Sequence, residues 1–438
     1  MRVLLDGYNM GLRHGTGVAT YGRGLSRALK LRGHDVDVVY GGRSVRAVEP
    51  LIREVSFFDA AAEPPLRGGA QRLAWWASSA GTALGCQADE VPVSGAVVWE
   101  SRRPAMPAFD RLWNCTKLFR RALLLHHWSG QFARLRNPDA DVAHWTYPLP
   151  VEHASAANIY TLHDLVPLRL PHTTLDDKRR YFRLCKRIAA RADHIVTVSE
   201  WSRQDIIRLL GVSPDRVTNT YQTVDFPREY LVRPDDEVAR EVDGTYGLDY
   251  KGYFLFFGAV EPKKNLGRLV EAYLASGVAT PLVVVGAPGW GTEDELRHLE
   301  SLTKLRGGGS RRVLRMDYLP QSSLVTLIRG ARATIFPSLY EGFGLPVVES
   351  MLLGTAVLTS NTSCLPEIAG DAALLVDPYS TADLARSLRA LDADADLRQH
   401  LESAGRRRAE SFGAAAHAQR IDGVYRNLGV RTRMTAAA

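Results

Sequence analysis

Short runs of apolar, mostly β-branched residues recur along the chain and alternate with longer segments of helical periodicity. The runs lie at residues 2–6, 36–40, 141–145, 158–162 and 194–199, and they restart at 253–258, 282–286, 313–317, 333–338, 356–360 and 372–376. Apolar runs of this length between helices are typical of βαβ units in a buried parallel sheet. The sequence therefore predicts an α/β protein of two doubly wound domains, with ligands expected at the carboxyl ends of the strands.

The two series are separated by residues 225–251, a charged segment that contains Pro and Gly and has no strand pattern. Such composition is typical of a connection between domains. We predict an N-terminal domain over residues 1–228, a linker over 229–250 and a C-terminal domain over 251–411. A chain of 438 residues is long enough for each domain to have its own core.

The composition indicates a globular protein but does not identify its ligand. The hydrophobic content of 45% and charged content of 24% are ordinary for a globular protein. A net charge of +7 suits nucleic acid, an anionic membrane or phosphorylated small molecules. The four cysteines lack CxxC spacing, which argues against a disulfide framework or zinc site and favours the cytosol. The chain reaches Asp6 after three apolar residues, which predicts a short strand rather than a signal peptide.

The most informative motif is the block at residues 339–370, in which seven residues separate two carboxylates, Glu341 and Glu349. The glycines and Pro346 between them predict a tight loop and a helix that begins near the proline. Free N–H groups and the positive end of the helix dipole at such a position suit a diphosphate. Glu341 is placed to accept hydrogen bonds from sugar hydroxyls, and Glu349, about one turn into the helix, to hold a ribose diol.

A second block, residues 256–273, places charge at a strand end. Gly258 follows the strand, and Lys263 and Lys264 precede the next helix. Cations in this position would neutralise the charge that grows on a departing nucleotide diphosphate. Exposed lysines are more often ordinary surface residues, so this block gains its meaning from the motif at 339–370.

The third block contains Gly15, Thr16 and Gly17, which would present backbone amides to an anion between the first strand and a helix. It narrowly misses the dinucleotide-binding fingerprint, because Thr20 stands in place of the third Gly, although Asp37 lies at about the expected distance. A fourth block ends a strand with His163 and Asp164. A lone His at a strand end is more often structural than catalytic.

Residues 111–136 carry six basic residues, no acid, and several Trp, Phe and Leu. One interpretation is a basic amphipathic helix that lies on an anionic bilayer. The other is a core helix with a solvated basic face. No apolar run approaches the roughly 20 residues of a membrane-spanning helix.

Together the blocks resemble glycosyltransferase family 4, retaining enzymes with the two-domain GT-B architecture. The resemblance rests on GFGLP between the glutamates, the following GTAV and LPEIAGDAALLVDP, EPKKN at 261–265 and the HD pair. Residues 412–438 resemble the family's terminal helix, which crosses back onto the first domain. Lys263 stands where the family usually has Arg, and lysine lacks the bidentate fork of arginine.

The resemblance assigns roles to the blocks. It implies catalytic roles for His163, Lys264 and Glu341, and an acceptor or phosphate loop at Gly15, Thr16 and Gly17. The implied donor-binding residues are Gly258, Lys263, Lys264, Gly342, Phe343, Gly344, Leu345 and Glu349.

The resemblance also implies a reaction. A sugar would pass, with retained configuration, from a nucleotide-sugar to an acceptor. The HDLVPLR and EPKKNL variants look most like bacterial mannosyltransferases that use GDP-mannose for surface polysaccharides, while UDP- and dTDP-sugars remain open. The expected acceptor is a glycan or a polyprenyl-diphosphate-linked oligosaccharide, at the inner face of the cell membrane. No metal or other cofactor is expected, because the sequence has no DxD motif placed as a metal site; the acidic run at 392–396 is assigned to a surface helix. No nucleic-acid partner is expected either.

Three other functions remain open at this point. A nucleotide-sugar epimerase of the same architecture would convert the donor without a second substrate. A dinucleotide-dependent oxidoreductase would use the Gly15–Gly17 loop but leaves residues 339–370 unexplained. A catalytically silent binding subunit is the third, although the intact glutamates argue against it.

Overall fold

The structure is a computed structural model that describes residues 1–11, 17–42, 49–59, 79–99, 106–287, 289 and 313–435, with side chains as far as Leu428. Its strands are β1 (Arg2–Asp6), β2 (Asp35–Tyr40), β3 (Asp89–Val91), β4 (Arg111–Asn114), β5 (Ala133–Leu135), β6 (Val142–Trp145), β7 (Val151–His153), β8 (Ala157–Thr161), β9 (His194–Thr197), β10 (Val217–Asn219), β11 (Phe254–Phe257), β12 (Leu282–Val285), β13 (Val313–Met316), β14 (Ala333–Phe336), β15 (Ala356–Ser360) and β16 (Leu374–Val376).

The α-helices alternate with these strands. They are α1 (Gly17–Leu31), α2 (Pro50–Phe58), α3 (Leu118–Ser129), α4 (Val166–Arg169), α5 (Lys178–Arg191), α6 (Glu200–Leu210), α7 (Arg228–Val232), α8 (Asp235–Tyr246), α9 (Leu266–Ser276), α10 (Gln321–Gly330), α11 (Leu345–Leu352), α12 (Leu365–Ala369), α13 (Thr381–Ala393), α14 (Ala395–Ala409) and α15 (Ala414–Thr435).

Two large sheets organise the chain. The first has the order β10-β9-β8-β6-β1-β2-β4-β3 and is parallel except for β3, which pairs antiparallel with β4. The second has the order β13-β12-β11-β14-β15-β16, in which every described pairing is parallel. The second order is the doubly wound pattern in which the first three strands run outward one way and the next three the other. Both predicted α/β sheets are therefore confirmed.

The predicted strands lie within two residues of the observed ones, because fully buried parallel strands require uninterrupted apolar side chains. The short strands β3, β4, β5, β7 and β10 were not predicted. The predicted linker is helical, since it contains most of α7 and all of α8. Helix α8 buries Val238 and Val242, and Val242 lies against Gly330 of α10.

Residues 111–136 do not form one helix, so their interpretation as a single amphipathic helix is wrong. Strand β4 occupies the start of the segment, helix α3 the middle and strand β5 the end. Leu118, Phe119, Ala122 and Leu125 of α3 are buried in the core of the first sheet. The apolar side chains that suggested membrane contact therefore pack mainly inside the fold. Among the described residues, no helix combines the length and apolarity needed to cross a bilayer.

The end of the chain returns to the first sheet. Helix α15 packs against α1, and Asp422 of α15 accepts hydrogen bonds from Arg32 and His34 at 2.9 and 3.1 Å. Burial alone would raise the pKa of Asp422, but Arg32 and His34 hold it below its usual value. The acidic run at 392–396 spans the junction of α13 and α14, where Asp394 caps α14.

Candidate active site

The two sheets each reverse their strand order at one point, between β1 and β6 and between β11 and β14. Loops that leave neighbouring strands in opposite directions open a crevice at such a point. The motif residues lie at these strand ends. His163 follows β8, Gly258 follows β11, and Glu341 lies five residues after the end of β14.

Lys264 and Glu341 form the charged centre of the crevice. Lys264 Nζ donates to Glu341 Oε1 at 2.6 Å and lies 4.6 Å from the centre of the Phe336 ring. Lys263 Nζ lies 3.8 Å from the other carboxylate oxygen. Burial would raise the pKa of Glu341, but Lys264 and Lys263 outweigh that effect and lower it, so the carboxylate stays ionised at neutral pH. The structure thus brings two neighbouring lysines together with a glutamate 77 and 78 positions further along the chain.

Side chains that the sequence did not single out hold this centre in place. Asn265, in the left-handed conformation with φ of 61°, donates to the carbonyls of Pro337 and Pro378. The Glu341 N–H donates to Ser363 Oγ at 3.1 Å, and Cys364 Sγ lies 3.2 Å from the Glu341 carbonyl. Asn265 is the last residue of EPKKN, so the motif did contain a signal for it. Ser363 and Cys364 lack such a signal because their role depends on the β15–α12 loop reaching across the sheet.

The loop between the glutamates presents backbone N–H groups. Helix α11 begins at Leu345 with Pro346 in its first turn, as predicted. The N–H groups of residues 342–345 donate to no other residue in the described part of the chain. Gly344 has φ of 89°, where other residues are strained, and a side chain at Gly342 would collide with Asp164. Phe343 contributes only its backbone, because its ring is buried against Phe412.

Glu349 lies in the second turn of α11 and differs from Glu341 in its surroundings. No described side chain forms an ion pair with it. Burial raises its pKa to about 7, and only the more distant Lys264 opposes this. In the ligand-free protein Glu349 therefore exchanges a proton near neutral pH, whereas Glu341 remains charged.

His163 faces the crevice from the first sheet. Its Nε2 donates to the Thr146 carbonyl at 2.9 Å, which leaves Nδ1 free to accept a hydrogen bond. Burial lowers the pKa of His163, so the ring is neutral at pH 7. Tyr21 packs edge-on against the ring with centroids 4.8 Å apart. Tyr21 is a core residue, 1% exposed, and its hydroxyl bonds to Thr161.

One residue of the N-terminal glycine motif, Gly17, lies near the same crevice. Gly15 and Thr16 lie outside the described residues. Gly17 begins α1, and a Cβ placed on it would lie 3.3 Å from Leu345 at the start of α11. Two helix N-termini, one from each half of the chain, therefore face each other across the crevice. Gly258 has φ of 129° and open space at its Cβ position, so backbone conformation rather than crowding favours glycine there.

Further contacts join the two halves beside the crevice. The Tyr340 hydroxyl donates to Asp205 at 2.6 Å. Both carboxylate oxygens of Glu367 accept backbone N–H groups at the start of α6, from Glu200 at 2.7 Å and Trp201 at 3.1 Å. Ser199 caps α6. Glu367 lies in the LPEIAG segment, but nothing in the sequence indicated that its partner is a helix of the other half.

The structure argues against a dinucleotide site on the first sheet. Asp37, the residue at the expected distance for a ribose contact, lies on β2 and is buried in an ion pair with Arg111, whose NH2 is 2.6 Å from Asp37 Oδ2. A carboxylate held in this way is not available to a ribose diol. The crevice instead offers cations, free amides and two carboxylates on the second sheet, opposite a neutral histidine on the first. Such a set can hold a sugar diphosphate and stabilise negative charge on its phosphates.

Comparison with known proteins identifies the fold first. Sucrose-phosphate synthase from Thermosynechococcus elongatus superimposes with a TM-score of 0.66 at 18% identity, covering 98% of this chain and 100% of that one. The two doubly wound domains with a crevice between them therefore define a GT-B protein. Residues 15–226 match the family model "Glycosyltransferase Family 4", and residues 246–408 match "Glycosyl transferases group 1". Together the two matches span most of the chain, which therefore belongs to the glycosyltransferases that these two models describe.

Two relatives from Escherichia coli illustrate the similarity. The O-antigen chain mannosyltransferase B is 34% identical over 233 residues, which cover 52% of this chain and 58% of that protein. The serotype-specific mannosyltransferase WbdA is 28% identical over 263 residues, which cover 58% of this chain and 32% of WbdA. The matched segments thus span between about one third and three fifths of these relatives.

Proposed function

We propose that this protein transfers mannose from GDP-mannose, with retention of configuration, to a glycan or polyprenyl-diphosphate-linked acceptor in the synthesis of a bacterial surface polysaccharide. The observation that carries the proposal is the Lys264–Glu341 pair beside the free amides of residues 342–345. The names of the two relatives support mannose as the sugar.

In the proposed mechanism the diphosphate of the donor lies against Lys263, Lys264 and the start of α11. The bond between the sugar C1 and the phosphate oxygen breaks, and these cations and amides stabilise the charge on the leaving group. The acceptor oxygen bonds to C1 from the same face, and its proton passes to the departing phosphate. Glu341 and the free Nδ1 of His163 accept hydrogen bonds from sugar hydroxyls and hold C1 toward the acceptor.

Glu349 would hold the ribose diol, for which the deprotonated carboxylate is the better acceptor. We further propose that no divalent metal takes part, since the two lysines supply positive charge at the phosphates. Activity should survive removal of metals with EDTA. Loss of activity in EDTA, restored by Mg²⁺ or Mn²⁺, contradicts this part of the proposal.

The donor base is tested by thermal-shift binding with GDP, UDP, dTDP and ADP. A ligand at a hundred- to thousandfold excess over its dissociation constant adds about 3–4 kcal/mol of stability. A selective shift with GDP supports GDP-mannose, while a selective shift with UDP or dTDP replaces the donor and keeps the class of enzyme. A shift with NAD and with no nucleoside diphosphate overturns the proposal.

The reaction itself is tested by NMR of the product formed from GDP-mannose. An α-linked mannose in the product establishes retention, because the donor is α-linked. A β-linked product contradicts the front-face mechanism. A GDP-linked epimer of mannose formed without an acceptor would support the epimerase alternative instead.

A further inference from the structure

A cavity of about 520 Å³ lies in the first half of the chain, between the end of α3 and the beginning of α5. Its volume falls within the range of about 300–1,000 Å³ typical of small-molecule sites. The proposed mechanism assigns none of its lining residues. We propose that this cavity binds the acceptor, and that the acceptor presents a sugar bearing a phosphate. The inference rests on the proposed glycosyl transfer and adds the acceptor's place and chemical class.

Aromatic rings form one wall of the cavity. Tyr8, which follows β1, stacks on Tyr147, which follows β6, with centroids 5.8 Å apart and planes 27° apart. Phe119 supports Tyr8 from behind with an edge contact at 5.2 Å. Both tyrosines lie at the carboxyl ends of the two strands where the first sheet reverses its order. A fixed aromatic surface with hydroxyl groups at its edge suits a sugar ring, which has apolar faces and polar edges.

Cations of α5 also line the cavity. Arg183 and Arg187 project from α5, and neither is within ion-pair distance of a carboxylate in the described residues. Arg183 Nε donates only to the Arg179 carbonyl, at 3.3 Å, and the Arg187 guanidinium lies over Gly130. Arginine is the side chain best suited to bind phosphate through two parallel hydrogen bonds.

Acids are also present, but they leave the two arginines uncompensated. Arg180 is paired with Asp177 at 3.0 Å, and Asp176 lines the cavity close enough to Tyr147 for its charge to raise the pKa of that hydroxyl. Burial, Arg187 and Arg183 lower the pKa of His126 to about 4, which keeps that ring neutral. The wall formed by α5 therefore remains positive at neutral pH.

The cavity is connected to the crevice by two short links. The Tyr181 hydroxyl, at the cavity, donates to the Asp164 carbonyl at 3.0 Å. The carbonyl of Thr146, the residue before Tyr147, accepts the hydrogen bond of His163. Two hydrogen bonds thus join residues at the cavity to the His163–Asp164 pair, which faces the proposed donor site.

The test is isothermal titration calorimetry with α-mannose 1-phosphate as the probe, on protein saturated with the nucleoside diphosphate that binds it best. Arg183→Gln/Arg187→Gln should weaken binding at least tenfold, since each loses a charge-assisted hydrogen bond. Arg179→Gln, a change of the same kind on the same helix but outside the cavity, should leave binding unchanged. Methyl α-mannoside, which has no phosphate, should bind at least tenfold more weakly than the probe.

Because binding is measured without transfer, failure here is distinguishable from failure of the proposed reaction. Equal affinity of the double variant and the wild type overturns the proposal, as does competition between the probe and the nucleotide. Equal binding of methyl α-mannoside overturns recognition of phosphate. A mannosyl diphosphate on a short prenyl chain serves as a second probe. If it binds more tightly than mannose 1-phosphate, the acceptor is lipid-linked, and equal binding assigns a free sugar phosphate; both results require the two arginines.

Discussion

At the scale of single residues, Lys264 and Glu341 have to be considered as a unit. Their side chains are 12% and 8% exposed, so each charge depends on the other to offset the loss of water. In the proposed mechanism a nucleotide-sugar competes for the same two groups, because its phosphate would attract Lys264 and its sugar hydroxyls would approach Glu341. The ion pair therefore keeps Lys264 and Glu341 charged in the protein without substrate.

Lys264→Met should lower the turnover number by about 10²–10³, because a charge on the leaving group is no longer stabilised. It should also destabilise the protein by about 3 kcal/mol, since Glu341 remains buried without its partner. Steady-state kinetics and thermal denaturation measure the two effects. In Lys264→Met/Glu341→Gln, stability should recover while activity does not. Recovery of activity with stability would mean that Lys264 acts only through folding.

Glu349 gives a pH-dependent prediction. Its pKa is raised from 4.5 to about 7 in the folded protein, so the folded state binds more protons than the unfolded state between these values. Stability from this group is therefore present below pH 4.5 and lost as the pH rises through 7. Glu349→Gln lacks this loss. Its melting temperature relative to wild type should be higher at pH 8 than at pH 5, as measured by thermal denaturation without ligand.

The same group should link nucleotide binding to pH. Because a ribose diol donates to the deprotonated carboxylate, wild-type affinity should increase between pH 6 and 8, while Glu349→Gln should bind weakly and with little pH dependence over that range. Calorimetric titration with the preferred nucleoside diphosphate measures both. An identical pH profile in the variant would contradict the role of Glu349.

At the scale of secondary-structure elements, a buried chain of hydrogen bonds joins α15 to the crevice. Tyr425 bonds to His144 Nδ1 at 2.5 Å, His144 Nε2 bonds to Thr161 at 2.7 Å, and Thr161 bonds to Tyr21, which supports His163. Burial lowers the pKa of His144 to about 3, so the chain is uncharged. The terminal helix is thereby linked to a residue of the site through buried side chains.

Tyr425→Phe should lower stability by about 1–3 kcal/mol, because it leaves a buried nitrogen of His144 without its partner. It should also lower the turnover number severalfold with unchanged nucleotide affinity, since the proposed nucleotide site lies on the second sheet. Tyr253→Phe is a matched control, as it loses a buried hydroxyl bonded to the Leu327 carbonyl, far from His163. Equal losses of activity in the two variants would assign Tyr425 a purely structural role.

The elements that could be predicted from the sequence are those with a local signal. Buried parallel strands such as β11 and β15 are uniformly apolar, and α11 follows from its loop and proline. The single helix predicted for residues 111–136 was wrong because the segment contains three elements, β4, α3 and β5, each of which buries only part of its surface. Similarly, the position of Asp37 in the sequence suited a dinucleotide site, but the pairing of β2 with β4 places Arg111 beside it. Pairings between distant strands decide such cases, and one sequence contains no record of them.

At the scale of the whole molecule, the crevice is assembled only when its two walls approach. A side chain at Gly342 would collide with Asp164, and a Cβ at Gly17 would lie 3.3 Å from Leu345, so the two halves lie close together at both points. The pKa of Lys263 depends on this approach. Burial would lower it, but Glu341 and, from the other wall, Asp164 raise it. Separation of the walls would leave the donor residues of the second sheet intact and remove His163 from them. Nucleotide binding and transfer should therefore depend differently on closure.

Glu367 offers a way to test closure, because its carboxylate caps α6 across the crevice. Glu367→Gln removes a negative charge from a helix N-terminus, an interaction of about 1 kcal/mol, so the ratio of closed to open molecules should fall about fivefold. Small-angle X-ray scattering of the ligand-free variant should give a larger radius of gyration than wild type, and the turnover number should fall with nucleotide affinity nearly unchanged. Glu200→Gln is the control, since that side chain contacts only Arg203 and Gln204 of its own helix. If both variants expand equally, charge on α6 rather than the contact between the halves governs closure.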